Sequence, residues 1–368
     1  MNMETNNIDN SVMKQTHFPW LDAMRFIAAF LVVLCHTRND FFLRYYELPL
    51  DQQGPLMMLF YALGRLGNEA VFTFFILSGF LVGGRGLERV MNGTFRMRDY
   101  AIDRGVRIML PLLASIAFYI SIAPLVGQDF SWWTVLGNIF NLQCILCDSL
   151  VSPFWSLSYE VWFYIWLLAL AAVMQKRWWG FLLFVLCCFV YTRMNAAYLL
   201  VWLMGAASYM CRPKKFNKWL FALSIIVILA GVVLCQVTTE TKWSGGMSLD
   251  IDGFVFRVLL CAGMCLFVQH VVLLTPPNAV LRKIEKMFGR LADFSYTLYL
   301  SHRITMLVIF AFFFEKYKAD MSITNKIYYV GVLMACLTVA YLLFLIAERH
   351  TKSVKKYIKK SLGLMFNV

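Results

Sequence analysis

The chain has 368 residues, of which 60% are hydrophobic and 16% aromatic, and it carries a formal charge of +13. A mean hydropathy of +0.65 and an apolar share above the roughly one half of ordinary soluble domains exclude a soluble globular protein. The charge alone would suit nucleic acid, but its placement along the chain follows membrane topology, so no nucleic-acid partner is expected.

The first 19 residues are polar, with Lys14 their one basic group, and the apolar run behind them lacks a small-residue cleavage pattern. Residues 1–19 therefore read as a cytoplasmic segment ahead of a retained span. Apolar runs follow at 21–38, 56–83, 108–126, 154–174, 178–192, 196–210, 219–237, 254–274, 294–314 and 327–347. They predict one all-α, polytopic domain over 20–348 with about ten transmembrane helices. The short runs at 178–192 and 196–210 suit a tight hairpin or a partly re-entrant pair. Arginines and lysines concentrate in alternate connections, at 85–107, 176–177, 212–218 and 282–290 and in the tail, whereas the other connections hold few. The positive-inside rule then places both termini and the 84–107 connection in the cytoplasm.

The longest outward connection, 127–153, has no Lys or Arg. Its SWWTVLGNIFNL stretch predicts an interfacial helix with Trp132 and Trp133 at headgroup level. Cys144 and Cys147 form a C-x-x-C there, open to a disulfide; lacking a second pair or a nearby His, they read as structural cysteines, and no metal site is expected. The tail 349–368 sets lysines beside Val354, Ile358, Leu362 and Phe366, the pattern of a basic amphipathic helix on an anionic leaflet.

Polar groups inside the apolar runs are the functional signal, because a charge at the bilayer centre costs about 3 kcal/mol even on the mildest scale. Arg25 and His36 lie on one helix face about 16 Å apart. Ser156, Glu160 and Tyr164 form an i, i+4, i+8 stripe on the aromatic run FWSLSYEVWFY, beside Tyr159. Counting from the helix ends puts His36 and Glu160 at similar outer-half depths, so the two are expected to meet and to make His36 a general base, or alternatively a transient acyl carrier. Ser295, Tyr299 and His302 share a face of the ninth run. There a binding role is expected for His302 near the inner surface, with Arg303 offering charge to an inward-facing cavity. Arg104 and Arg107, one turn apart in DRGVRIMLP, suit bidentate contact with a phosphate.

Taken in order, LDAMRFIAAFLVVLCH, FFILSGFL, DRGVRIMLP, FWSLSYEVWFY and FSYTLYLSH resemble the motif blocks of the integral-membrane acyltransferase 3 family, from about residue 20 to 347. The resemblance implies a bundle of about ten helices that moves an acyl group, usually acetyl, from cytoplasmic acyl-CoA to a hydroxyl of an extracytoplasmic glycan. On this resemblance Arg25 and His36 are the paired first-helix motif, with His36 acting in the transfer. Arg104 and Arg107 face the donor's phosphates, and Glu160 and His302 line the pore. One departure is visible: where many members carry an acidic residue just before the Phe-Phe, this chain has Phe72, with Glu69 one turn earlier. The expected partners are acyl-CoA as donor substrate, a surface glycan or lipid-linked saccharide, and lipids, with no bound cofactor and a bacterial inner-membrane location. The rival reading is a transporter or flippase, in which the same polar groups would line a substrate path; no repeated halves are visible to favour it.

Overall fold

The computed structural model describes residues 18–237, 251–274, 278–313 and 318–363. The expected N-terminal segment up to residue 17 and the end of the tail, with Phe366, lie outside them. Among the described residues the fold is helical without strands. In chain order the helices are α1 (Pro19–Phe41), α2 (Pro55–Leu63), α3 (Gly67–Met91), α4 (Met97–Ile122), α5 (Trp132–Ile139), α6 (Phe154–Met174) and α7 (Trp178–Arg193). They continue with α8 (Ala197–Met210), α9 (Lys218–Val237), α10 (Ile251–Val271), α11 (Ala279–Ala292), α12 (Ser295–Phe313), α13 (Ile323–Ile346) and α14 (Thr351–Ser361).

Among the described residues eight helical segments are long and apolar enough to cross a membrane. Every expected apolar run forms helix, but α7 and α8, with 16 and 14 residues, span only about 24 and 21 Å. Both fall short of a hydrocarbon core of about 30 Å.

Three boundaries differ from the apolar runs. The run 56–83 is two helices, because Gly64 ends α2 and its carbonyl accepts from the buried Arg38 guanidinium at 3.2 Å. The expected 84–107 connection is mostly helix: α3 continues to Met91 and α4 begins at Met97, so Arg104 and Arg107 lie well inside α4. Basic residues are good helix formers, and hydropathy marks the edge of the membrane rather than the end of a helix. Likewise the basic 282–290 stretch is the amphipathic helix α11.

The chain forms two compact units, one drawn from residues up to Ile27, Phe72–Met91 and Asn195–Ala292, the other from Ala28–Val71, Asn92–Met194 and from Asp293 on. In the first, α3 packs on α8 through small residues. A Cβ on Gly79 would stand 2.0 Å from the Trp202 carbonyl oxygen, and one on Gly205 2.3 Å from that of Ile76. Over Gly79–Gly84 the helix widens to a π-helix, and Trp202 Nε1 donates to Ser78 Oγ at 3.2 Å. This is the close backbone approach that membrane helices use in place of a hydrophobic driving force, and it gives the FFILSGFL block its physical reason.

In the second unit, α4 packs against α12, α6 against α7, and α12 against α13. The amphipathic tail helix α14 lies on α4, where Lys359 reaches Asp99 and Asp103 at 3.0 and 3.3 Å and Lys355 reaches Asp103 at 3.8 Å. These two lysines, expected at the leaflet, are thus turned to α4, since carboxylates on a neighbouring helix supply the counter-charge directly. As expected, α5 exposes Trp132 and Trp133 while burying Val135 and Asn138, with Ser131 accepting from the Trp133 amide at 3.2 Å.

Gly79→Ala is expected to lower the thermal midpoint of the purified protein by an amount equivalent to about 1–3 kcal/mol, because backbone must shift. Gly105→Ala, whose Cβ meets nothing within 4 Å, is expected to be neutral or mildly stabilising. Thermal scans in detergent check both.

Candidate functional site

All the groups that meet at the site belong to the second unit. The stripe on α6 and the stripe on α12 face each other: Ser156 Oγ and Tyr299 Oη are 2.6 Å apart, and both residues are buried. One turn along α6, the Tyr164 hydroxyl donates to Glu160 Oε1 at 2.5 Å. Glu160 also acts electrostatically on Tyr296 and Tyr299 of α12 and on Tyr100 of α4. The Arg104 guanidinium lies over the Tyr164 ring, 5.9 Å from its centroid, and Arg107 acts on Tyr296. In the other direction Tyr299 leads to His302, ring centroids 6.2 Å apart, and His302 to His36 of α1 at 5.4 Å. One turn beyond His36, Asp40 pairs with Arg303.

The result is a line of polar groups through an apolar bundle, from Arg104 through Tyr164 to Glu160, then by electrostatic interaction to Tyr299, and on through His302 to His36. Its His36 end is braced by α13, where the Tyr329 hydroxyl lies 3.2 Å from Thr37 Oγ1, which itself donates to the Val33 carbonyl at 2.7 Å.

One expected placement is not what forms. His36 and Glu160 do not meet; His302 and Tyr299 stand between them. Arg303, expected to offer charge to an inward-facing cavity, forms its ion pair with Asp40, one turn beyond His36. Residue counts measure depth from each helix's own end, whereas the choice of neighbours is made by tertiary contacts. Arg25 pairs with Asp22 at 2.9 Å in the first turns of α1. Tyr159 packs in an aromatic row with Trp155 and Phe163. Glu69 is buried near Cys35, which in turn feels Arg38, so it joins a cluster at the start of α3 rather than the track.

A cavity of about 180 Å³ opens between α4 and α6, lined by Tyr100, Arg104, Ile108, Val161 and Tyr164 among others, with Asn141 also in its wall. Asn141 is 3% exposed, sits at a positive φ of 56°, and accepts from Ser158 and Trp162 through its carbonyl. Its side-chain Oδ1 has no hydrogen-bond partner. A buried acceptor without a donor is costly, which makes it a receptive group for a ligand N–H or O–H. Sequence reading missed Asn141 and Asp40. Asp40 was legible as the residue one helical turn beyond His36; Asn141, in a loop, gave no periodic signal. In the same loop, burial pushes the Cys144 thiol up to about 11, helped by Cys147 and Asp148. The thiol therefore stays protonated at neutral pH, in keeping with a structural cysteine.

The family model described as an acyltransferase domain matches residues 18–345. The chain is 24% identical over 319 residues to a protein of Streptomyces mycarofaciens named acyltransferase MdmB, covering 77% of this chain and 78% of that protein. No solved structure matches it significantly.

The Asp40–Arg303 pair yields a double-mutant prediction. Asp40→Ala alone leaves an unpaired guanidinium and is expected to destabilise more than the double variant Asp40→Ala/Arg303→Leu. The coupling energy from thermal or chemical unfolding is expected within about 0.5–3 kcal/mol, toward the lower end because both groups are partly exposed. Additive single effects would contradict the pairing.

Proposed function

From the chain's membership of this acyltransferase family, matched over residues 18–345, we propose that it is a membrane O-acyltransferase carrying an acetyl group from cytoplasmic acyl-CoA to a hydroxyl of an extracytoplasmic polysaccharide or glycolipid. The observation that carries the reading is the polar track. It has unneutralised arginines at one end, a histidine with partial exposure at the other, and tyrosine and carboxylate groups between them.

Among the described residues Arg104 and Arg107 have no carboxylate within ion-pair distance, the nearby Asp103 being engaged by Lys355 and Lys359. They are the groups for the donor's phosphates, which a guanidinium binds with two parallel bonds. The cavity between α4 and α6 receives the donor's arm, and Asn141 Oδ1 offers an acceptor to one of its amide N–H groups. The thioester then lies against Tyr299, whose hydroxyl exchanges its Ser156 partner for the carbonyl oxygen and so stabilises the oxyanion that develops there.

His36 takes the proton of the acceptor hydroxyl as that oxygen attacks the thioester carbonyl. The carbon–sulfur bond breaks, the new ester leaves on the acceptor, and the imidazolium returns its proton to the departing thiolate. Glu160 holds Tyr164, and with it the ring on which Arg104 rests. The orientation follows the charge asymmetry of the connections, with Arg104 toward the cytoplasm and His36 toward the outside.

The test is binding of acyl-CoA to the purified protein. The wild type is expected to bind it, and Arg104→Ala/Arg107→Ala to weaken it by at least about tenfold, since a hydrogen bond to a charged group contributes about 1.5–3 kcal/mol. Calorimetry measures both. Absence of acyl-CoA binding by a folded wild type would overturn the reading and favour a transporter.

A further inference from the structure

His302 is fully buried in α12, and its Nδ1 lies 3.1 Å from the Leu298 carbonyl oxygen one turn back. A carbonyl can only accept, so that nitrogen carries the ring's proton and Nε2 is left as a lone pair. This Nε2 is buried and has no hydrogen-bond partner. The polar groups nearest the ring are few. Tyr299 lies on one side, its hydroxyl already engaged with Ser156. Cys336 donates to the His302 backbone carbonyl rather than to the ring, at 3.7 Å. Arg303 is paired with Asp40. What remains is His36, with ring planes inclined by 34° and centroids 5.4 Å apart. A small rotation of the His36 ring, or a single water, carries one of its N–H groups onto the waiting lone pair.

We propose that His302 is a positioning residue that fixes the tautomer of His36. Leu298 sets the His302 tautomer, His302 Nε2 then accepts from one nitrogen of His36, and the other nitrogen of His36 is left as the lone pair that faces the substrate. The Asp40–Arg303 pair, one turn beyond His36 and one residue beyond His302, holds the two helices in the register this needs. The logic is that of a base oriented by a second group whose own proton is pinned by the backbone, with a neutral imidazole where other enzymes place a carboxylate. An imidazole serves here because a second carboxylate would bring an uncompensated charge into the bundle.

The inference rests on the reading of His36 as the base, and its test separates the two. Full-length protein in liposomes is compared with His302→Leu, which removes the lone pair at similar volume, and His302→Gln, which restores an amide acceptor. His302→Leu is expected to lower kcat about 10–100-fold, the usual cost of losing a histidine's orienting partner. KM for acyl-CoA and for acceptor should stay within about twofold, as for a group that does not touch either substrate. His302→Gln is expected to recover most of the loss.

The second readout needs no turnover: carbethoxylation of His36 by diethyl pyrocarbonate, followed by peptide mass spectrometry, is expected to slow severalfold in His302→Leu and recover in His302→Gln. If the leucine variant does not fold, His302→Met takes its place under the same criteria. Unchanged kcat, or equal losses in the apolar and glutamine variants with unchanged His36 reactivity, would overturn the proposal. A wild type without acyl transfer would overturn the function instead, while the reactivity of His36 would still decide the role of His302.

Discussion

A polar side chain inside an apolar bundle has no water to turn to, so its partner must come from the protein, on its own helix or on a neighbour. That requirement organises the second unit. The ion pair between Asp40 and Arg303 joins α1 to α12, the hydroxyl contact between Ser156 and Tyr299 joins α6 to α12, and Glu348 accepts from Thr297 Oγ1 at 2.6 Å to hold the start of α12. With these three contacts α12 has little freedom of register, and its tyrosine and histidine are carried to one line. The groups that satisfy the bundle's polar atoms are therefore the same groups that make a path across it.

Two of the buried atoms without a hydrogen-bond partner lie on or beside this line of groups. His302 Nε2 and Asn141 Oδ1 are both buried acceptors without donors, one beside His36 and the other in the wall of the cavity that Arg104 lines. Other buried side-chain atoms, among them Gln143 Oε1 and Tyr296 Oη, also lack a partner, so it is position, beside His36 and in the cavity wall, that singles these two out. At the basic end, Asp99 and Asp103 are engaged by the lysines of α14, so the carboxylates next to Arg104 and Arg107 already have their counter-charge.

Much of this was legible in the chain. Composition alone fixed a polytopic helical bundle, and i, i+4 spacing correctly grouped Ser156, Glu160 and Tyr164, and likewise Tyr299 and His302, onto faces that turn out to meet. Helix partners were not legible. His36 was matched to Glu160 by counting turns from two helix ends, and the structure seats His302 beside it instead, because the start of each helix is set by its own cap and neighbours. Gly64 dividing the second apolar run, and the burial of Asn141 in a loop, depend on tertiary contacts from Arg38 and Trp162 that no local pattern announces.

The central claim is that the histidine at the end of the track performs acyl transfer. Its most direct measurement is transfer of labelled acyl from acyl-CoA to a glycan acceptor by purified His36→Ala protein whose folding and acyl-CoA binding match the wild type. Loss of the proton acceptor predicts a fall in kcat of about 10²-fold or more. Transfer at the wild-type rate would contradict the account.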